Sequence, residues 1–473
     1  MSLQPNIILI NCDDLGYGDL GCYGSTLNKT PAIDRIAAEG TRFTDFYMAS
    51  PVCSPSRGAM LTGCYPPRIG FGEFDGRWVL FPGMPIGLNT SEVTVAQMLK
   101  DAGYTTKIVG KWHCGDQKEH LPTRHGFDSY YGIPYSNDMG IQKEDDKYPP
   151  LPLMRDLTVI QAQPDQRGVT ERYAEESVRF MRESVANSTP FFLYLAHMHV
   201  HLPHYPAERF LKESENGPYG GAVAAIDWAT DVLLHELKAL DIDENTLVVF
   251  TSDNGSRMQG QGGSNGELKG IKGTTWEGGM RVPMIARWPG KVPAGRVSRE
   301  ITLSMDFCPT FAKIGGGSVP DDRIIDGRDI QPILYDEDGA ASQHDAFFYY
   351  KRNMIEAVRS GKWKLHIRRE RPKAKGNQTV DTGNASPIEE LQELYDLEAD
   401  IGETENLYDQ HPDVVSDLLA KATACGKDIG DTGAGVEGEN IRPAGRVDNP
   451  DTLTHLDPDH PYMIGMYDLK ERG

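Results

Sequence analysis

Two pairs of oxygen-bearing side chains, Asp13-Asp14 and Asp253-Asn254, each follow directly on an apolar run, as Ile-Leu-Ile-Asn-Cys-Asp-Asp and Val-Val-Phe-Thr-Ser-Asp-Asn-Gly. Three carboxylates gathered in one crevice would repel one another and keep protons unless a cation neutralised them. Oxygen-only ligation suits calcium or magnesium, and calcium better tolerates crowded, irregular geometry. Read alone, each pair is equally a polar turn that caps a helix after a buried strand. Cys53, in Cys53-Ser54-Pro55-Ser56-Arg57, reads alone either as a reactive thiol or as a small buried hydrophobe at a strand-to-helix turn. His197, His199, His201 and His204 crowd one short segment. Two-residue alternation would put the first three on one side of an extended strand, which is compatible with a transition metal. Their near-neutral pKa equally suits proton transfer.

These groups need a frame that brings distant segments to one edge. Asn6 to Cys12 is a continuous apolar run of the kind buried on both faces of a parallel sheet. Thr41 to Tyr47, Thr105 to Val109, Phe191 to Ala196, Leu247 to Ser252 and Val282 to Trp288 repeat the pattern. Between them lie helices. One starts with Thr30 as cap and Pro31 at its first position, and another carries Val223, Ile226, Thr230, Leu233, Leu237 and Leu240 on one face. The alternation predicts an α/β domain with a large, mainly parallel sheet sandwiched by helices, its ligands outside the carboxyl ends of the strands. After Asp345 the runs Phe347 to Tyr350, Ile355 to Arg359, Trp363 to Ile367 and Glu393 to Leu397 predict a smaller antiparallel sheet, joined by a helix from Pro412 to Ala422. The expected organisation is a catalytic domain over 1–344, a C-terminal antiparallel-sheet subdomain over 345–425, and a Gly-, Pro- and Asp-rich arm over 426–473. Lys143 to Pro152 and that arm are the expected substrate-shaping segments.

At 473 residues the chain exceeds what one core usually supports. Its net charge of -21 argues against a general nucleic-acid binder, which needs a basic surface. A small anionic substrate stays compatible, since exposed charges are screened beyond about 8 Å at physiological salt. Seven widely spaced cysteines without a C-x-x-C pair form neither a disulfide nor a zinc framework. The start runs straight into a strand, so the chain reads as cytoplasmic as written, or as periplasmic or secreted if a leader has been removed. No apolar run is long enough to span a membrane.

Cys53-Ser54-Pro55-Ser56-Arg57-Gly58, followed by Leu61-Thr62-Gly63, resembles the signature of type I sulfatases of the alkaline phosphatase superfamily. Gly110-Lys111-Trp112-His113 resembles the G-K-W-H element of that family, with Cys114 where leucine is usual. Lys272-Gly273-Thr274-Thr275-Trp276-Glu277-Gly278-Gly279-Met280-Arg281-Val282-Pro283 resembles its K-G-T-x-x-E-G-G-x-R-x-P element, and His201-Leu202-Pro203 its His-x-Pro. Leu121 to Asp128 and Tyr130 to Ser136 are most similar to the arylsulfatase A-like branch.

The resemblance implies a sulfuric ester hydrolase acting on an aryl or carbohydrate sulfate. In such a protein Cys53 is oxidised by a formylglycine-generating or equivalent maturation enzyme, and the formylglycine hydrate attacks sulfur. Asp13, Asp14, Asp253, Asn254 and the converted Cys53 would hold one divalent cation, calcium before magnesium. Lys111 and Lys272 would bind sulfate oxygens, Arg57 would hold the hydrate, His113 would orient or deprotonate it, and His201 would protonate the leaving oxygen. A phosphate or phosphonate monoester hydrolase is the alternative within the superfamily. A non-catalytic, metal-stabilised glycan-binding protein is the alternative if Cys53 stays a thiol.

Overall fold

The computed structural model describes residues 4–142, 148–258, 260–370 and 387–453. Among them ten strands form one sheet, in the order 296–298, 41–43, 284–287, 246–252, 6–12, 191–196, 105–110, 129–132, 152–155 and 158–162. The five central strands, from Thr246–Ser252 through Ser129–Gly132, are mutually parallel. Their carboxyl ends therefore open on one edge of the sheet. Antiparallel pairings continue the sheet on both sides, and the edge strand 296–298 closes one side in parallel with 41–43.

Alternate residues of the strand Asn6–Cys12 serve opposite faces. Ile7 and Leu9 join one apolar cluster with Phe192, Leu247 and Val249, while Ile8 and Ile10 join another with Leu193, Leu195 and Phe250. All are buried. A strand covered on both faces has no room for a polar alternation, hence the unbroken apolar run. At about 1.5–3 kcal/mol for each fully buried aliphatic side chain, this strand is firmly seated before any polar contact is counted. The long helix Gly217–Ala239 lays Val223, Ile226, Leu233 and Leu237 on the second cluster.

The expected single strand from Thr41 to Tyr47 is two, Thr41–Phe43 and Phe46–Tyr47. The first pairs in the large sheet and the second with Thr302–Leu303. Between them Asp45 receives Arg281 at 2.9 Å and Arg359 at 2.8 Å, which turns the chain out of the ladder. Thr30 precedes the helix Pro31–Ala38, but its hydroxyl takes the Gly21 amide and bonds Asp34. The helix is capped instead by Asp227, whose carboxylate accepts from Ala32 and Ile33. A capping carboxylate nearly two hundred residues away leaves no local sequence signal.

The smaller antiparallel sheet is present as expected, in the order Phe347–Lys351, Met354–Ser360, Trp363–Glu370 and Ile388–Asp396. Its helix runs from Pro412 to Ile429, past the expected end at Ala422, and places Val415, Leu418, Ala422, Cys425 and Ile429 in one cluster with Phe347, Ile355 and Leu365. The irregular arm accordingly begins after Ile429 rather than after Cys425. Of the expected substrate-shaping segments, residues 143–147 and 454–473 lie outside the described residues. Among the described residues no helix is long and apolar enough to cross a membrane.

Candidate active site

The ladder bonds of the central strands continue past the strand ends and carry the functional residues with them. The Asp13 amide donates to His199 O at 3.0 Å and the Val200 amide to Asp13 O at 2.7 Å. The Asp253 amide donates to Cys12 O at 3.0 Å, and the Lys111 amide to Ala196 O at 2.8 Å. Gly110 makes the last contact possible. It has φ +115°, and a Cβ there would stand 1.8 Å from Ala196 O. Asp14 and His113 also take left-handed backbone conformations, at φ 61° and 59°. For residues other than glycine these are uncommon, and here they turn two side chains back over the sheet edge.

Cys53 is the first residue of the helix Cys53–Thr62, whose ten residues are all buried. Its neighbours in the motif fasten the helix start. Ser54 Oγ accepts the Leu80 amide at 3.1 Å, and Ser56 Oγ donates to Asp253 O at 2.5 Å. Gly58 lets Phe71 approach, since a Cβ there would meet its ring at 2.7 Å. Arg57, one turn beyond Cys53, is wholly buried. Its Nε donates to Asp253 Oδ2 at 2.9 Å, Nη2 stands 2.8 Å from the same oxygen and 3.7 Å from Asp13 Oδ2, and Nη1 donates to Lys111 O at 3.0 Å. These contacts are with the acidic cluster and its neighbouring backbone.

The four strand-end oxygen donors meet, as the sequence suggested. Donor atoms of Asp13, Cys53 and Asp253 lie within 4.8 Å of one another, as do those of Asp13, Asp14 and His201. Asn254 Nδ2 donates to Asp14 Oδ1 at 2.7 Å. Asp13 Oδ1, Asp14 Oδ2 and Asn254 Oδ1 are buried with no hydrogen-bond partner. Unsatisfied buried acceptors are costly, and three together are what a hard cation would satisfy. The residues present therefore fit a divalent metal ion bound through oxygen.

Three cations face the three carboxylates. Lys111 Nζ contacts Asp13 Oδ2, and Lys272 Nζ lies 2.6 Å from Asp14 Oδ1, with Arg57 on Asp253. Burial opposes every charge here. Lys111 and Lys272 nevertheless hold their protons above the usual lysine range, because Asp13 and Asp14 adjoin them. Burial likewise pushes the Asp14 carboxyl up, but Lys272, then His201 and Arg257, outweigh it and hold it below the ordinary range. Burial and then repulsion from Asp13 raise Asp253 to about 6 in spite of Arg57. This is the carboxylate crowding that the sequence implied.

His113 Nε2 contacts Leu80 O at 3.0 Å, so the imidazole donates there and Nδ1 is left as a buried acceptor without a partner. Burial, helped by Lys111, holds it neutral far below its ordinary pKa. His201 Nδ1 stands 2.6 Å from Leu202 O and 3.1 Å from Asn137 Oδ1, two acceptors that place a proton on that nitrogen. Nε2 then faces Asp14 Oδ2 at 3.8 Å. The neighbouring histidines do not form a transition-metal site. Among the described residues no metal-spaced group of donors includes His197, His199 or His204.

Ser136, Asn137 and Asp138, after the strand Ser129–Gly132, complete the edge; Ser136 ends the run that resembles the arylsulfatase A-like branch, but none of the three was expected as a site residue. Ser136 Oγ lies 3.4 Å from Lys111 Nζ and 3.4 Å from the His201 ring. For Asn137 and Asp138 the one signal was position, at the carboxyl end of a central strand. A cavity of about 290 Å³ opens above the cluster, lined by Cys53, His113, Ser136, His201 and Lys272 and, farther out, by Arg77, Trp78, Phe81 and Arg257.

The loop bearing Lys272 is clamped from both sides. The Lys272 amide donates to Ser256 O, and the Gly273 amide to Pro51 O beside Cys53. Glu277, fully buried, accepts from Tyr47 at 2.5 Å, Tyr349 at 2.7 Å and Lys364 at 2.9 Å, the last two from the small sheet. The motif's Glu277 thus fixes the loop and the C-terminal sheet to each other.

The sulfatase family model matches residues 5–317, and a second, described as the C-terminal region of N-sulphoglucosamine sulphohydrolase, matches 271–425. Arylsulfatase A of Homo sapiens is 39% identical over 429 residues, covering 85% of this chain and 83% of that protein. N-acetylgalactosamine-6-sulfatase of Canis lupus familiaris is 41% identical over 378 residues, covering 77% and 72%. The solved structure of a protein named Ps i-CgsB, in complex with a neocarrahexaose, superposes with a TM-score of 0.75 at 31% identity over 89% of this chain and 92% of that one. With the family model matched over most of its length, the chain belongs to the type I sulfatases, hydrolases of sulfate esters that work with a metal ion and a formylglycine.

Proposed function

We propose that this sulfatase acts on a carbohydrate sulfate, with Cys53 carried as formylglycine and one calcium ion held by Asp13, Asp14, Asp253 and Asn254. The observation that carries the reading is the meeting of Cys53 with Asp13 and Asp253, in a cluster where Asp13, Asp14 and Asn254 each keep a buried, unsatisfied oxygen at the ends of parallel strands. Calcium is favoured over magnesium because the donors are crowded around a helix start and two turns, without octahedral regularity. A carbohydrate substrate is supported by the neocarrahexaose of the structural relative and the hexosamine sulfate in the name of the sequence relative. The partner required is a maturation enzyme that oxidises Cys53. The units we propose are a catalytic one over 1–344 and a C-terminal one from 345.

When present, the metal neutralises sulfate oxygens and the formylglycine hydrate supplies the attacking oxygen. The protein's own side chains do the rest. Lys111 and Lys272, held protonated and buried, bind sulfate oxygens where charge gathers as the ester bond breaks. His113 keeps Nδ1 unprotonated and so takes a proton from the attacking group. His201, its Nδ1–H held by Leu202 O and Asn137 Oδ1, gives a proton from Nε2 to the departing sugar oxygen as the imidazolium, the form that burial and Lys272 oppose and that Asp14 and Asp13 favour. Arg57 keeps Asp253 and Asp13 in place.

The test is hydrolysis of matched 4-nitrophenyl sulfate and 4-nitrophenyl phosphate. The sulfate should be turned over far faster, and Lys272→Ala should lower that rate by about 10²-fold or more. Preference for the phosphate would move the protein to the rival chemistry, and unchanged kinetics in the variant would remove Lys272 from the site.

Metal binding should depend on pH with a definite sign. The folded pKa of Asp253, about 6, lies above its unfolded value, so below about pH 6 the folded site holds a proton that a cation must displace. The rise in thermal stability on adding calcium should therefore be large at pH 7.5 and much smaller at pH 5. Equal increments at the two pH values would exclude Asp253 as a ligand.

A further inference from the structure

We infer that the cleft is built for a sulfated sugar carrying a second anionic group, a sulfate or a carboxylate, gripped by Arg77 and Arg257. The inference rests on the sulfate-ester reading above and names the substrate class of the same site. Neither arginine has a carboxylate partner among the described residues, although both line the cavity that holds Cys53 and Lys272. Five buried arginines differ in this. Arg57, Arg68, Arg281, Arg287 and Arg359 are each paired with an acid. In a chain of net charge -21, two guanidinium groups that make no salt bridge among the described residues and line a concave site are suited to an external anion, although the charge of Arg257 is also felt by Asp14.

Their placement is fixed. The Arg77 guanidinium lies 4.5 Å from the centre of the Phe81 ring, and Phe81 packs against Tyr148 at 6.5 Å with the rings 12° from parallel. The stack holds the guanidinium against an aromatic ring at the cavity wall. Arg257 follows the Asp253-Asn254 turn by three residues, and its charge reaches Asp14. One loop thus presents both the metal ligands and a cation for a group beyond the scissile sulfate. Asp138 lines the same cavity, and its Oδ1 is buried without a partner. That acceptor requires a donor, which a sugar hydroxyl or acetamido N–H supplies and a simple aryl sulfate lacks. The same carboxylate repels an anion, which confines the second acidic group to the arginine side.

The test is calorimetric binding to the calcium-saturated Cys53→Ala protein, which cannot turn over its ligands. The probes are N-acetylgalactosamine 6-sulfate, its 4,6-disulfate, and the disaccharide of the 6-sulfate with glucuronate. At least one dianionic probe should bind about tenfold or more tightly than the monosulfate. In Arg77→Met/Arg257→Met on the same background that preference should fall to within about twofold, with thermal unfolding unchanged. Preference for the disulfate alone assigns the second group to sulfate, and preference for the disaccharide alone assigns it to the neighbouring carboxylate. Equal affinity for all three probes, no binding of any, or a preference that survives loss of both arginines would overturn the inference. If the preference holds while the wild-type protein hydrolyses no sulfate ester, the fault lies with the hydrolysis reading and not with the arginine pair.

Discussion

Replacing Cys53 by alanine is expected to bring hydrolysis of 4-nitrophenyl sulfate to background, a loss on the order of 10⁴-fold or more, while the protein stays folded. The thiol is a poor nucleophile where it stands. Burial raises its pKa above the ordinary cysteine value, although Lys111 and Lys272 pull the other way. A cysteine that is mostly protonated offers little thiolate at neutral pH. Activity should therefore follow the converted fraction, read from the mass of the Cys53 peptide, and not total protein. The side chain is small and packs at the start of a helix whose other anchors are Ser54, Ser56 and Arg57, so the variant should unfold within about 1 kcal/mol of wild type. Full activity in preparations whose Cys53 is entirely thiol would sink the formylglycine assignment. Residual activity in the alanine variant above about one part in a hundred would place the nucleophile elsewhere.

Replacing Arg57 by methionine should destabilise the fold by about 3–5 kcal/mol and abolish activity with it. The guanidinium is fully buried and bonds Asp253, approaches Asp13 and ties down the Lys111 carbonyl. Methionine fills much of the volume but leaves two carboxylates in a dry site with fewer positive charges. The penalty comes from those uncompensated acids rather than from a lost contact, so a second change, Asp253→Asn, should recover part of the stability. Urea unfolding of the wild type, both single variants and the double variant measures this coupling. If Arg57→Met unfolds at the wild-type midpoint, or Asp253→Asn brings no recovery, the arginine is not the counterion that holds the cluster.

The strand-end acids were legible because a buried parallel strand leaves a continuous apolar run with its polar cargo directly after it, as Asn6–Cys12 and Thr246–Ser252 do. The small sheet was legible through its closely spaced hairpins. The helix Pro412–Ile429 was cut short because Gly426 hides the regular recurrence of Ala422, Cys425 and Ile429. Asp227 could not be read as a cap of Pro31–Ala38, because that contact exists only once two helices have packed. Of the residues whose spacing repeats a motif, Cys53, His113, His201 and Lys272 are brought to one cavity, and Lys111 lies buried against Asp13. Arg77, Arg257 and Asp138 reach the same cavity through topology alone, and nothing in their local spacing sets them apart from surface charges. The role of Arg57 also needed coordinates, since one turn of helix gave its face but not which acid it would meet.

Cys53 is only 2% exposed in the finished protein, and much of what shuts it in arrives late. Asp253, whose carbonyl and carboxylate clamp the helix start, and Gly273, whose amide bonds Pro51, lie roughly 200 residues farther along the chain. At about 5–20 residues per second of synthesis, that separation gives a nascent chain roughly 10 to 40 s in which the cysteine has left the ribosome and its walls do not yet exist. An enzyme that oxidises Cys53 has that interval in which to act. On the proposed conversion of Cys53, a chain that folded first would close over its own precursor thiol, and catalytic competence would be decided by a race during manufacture and not by any later equilibrium.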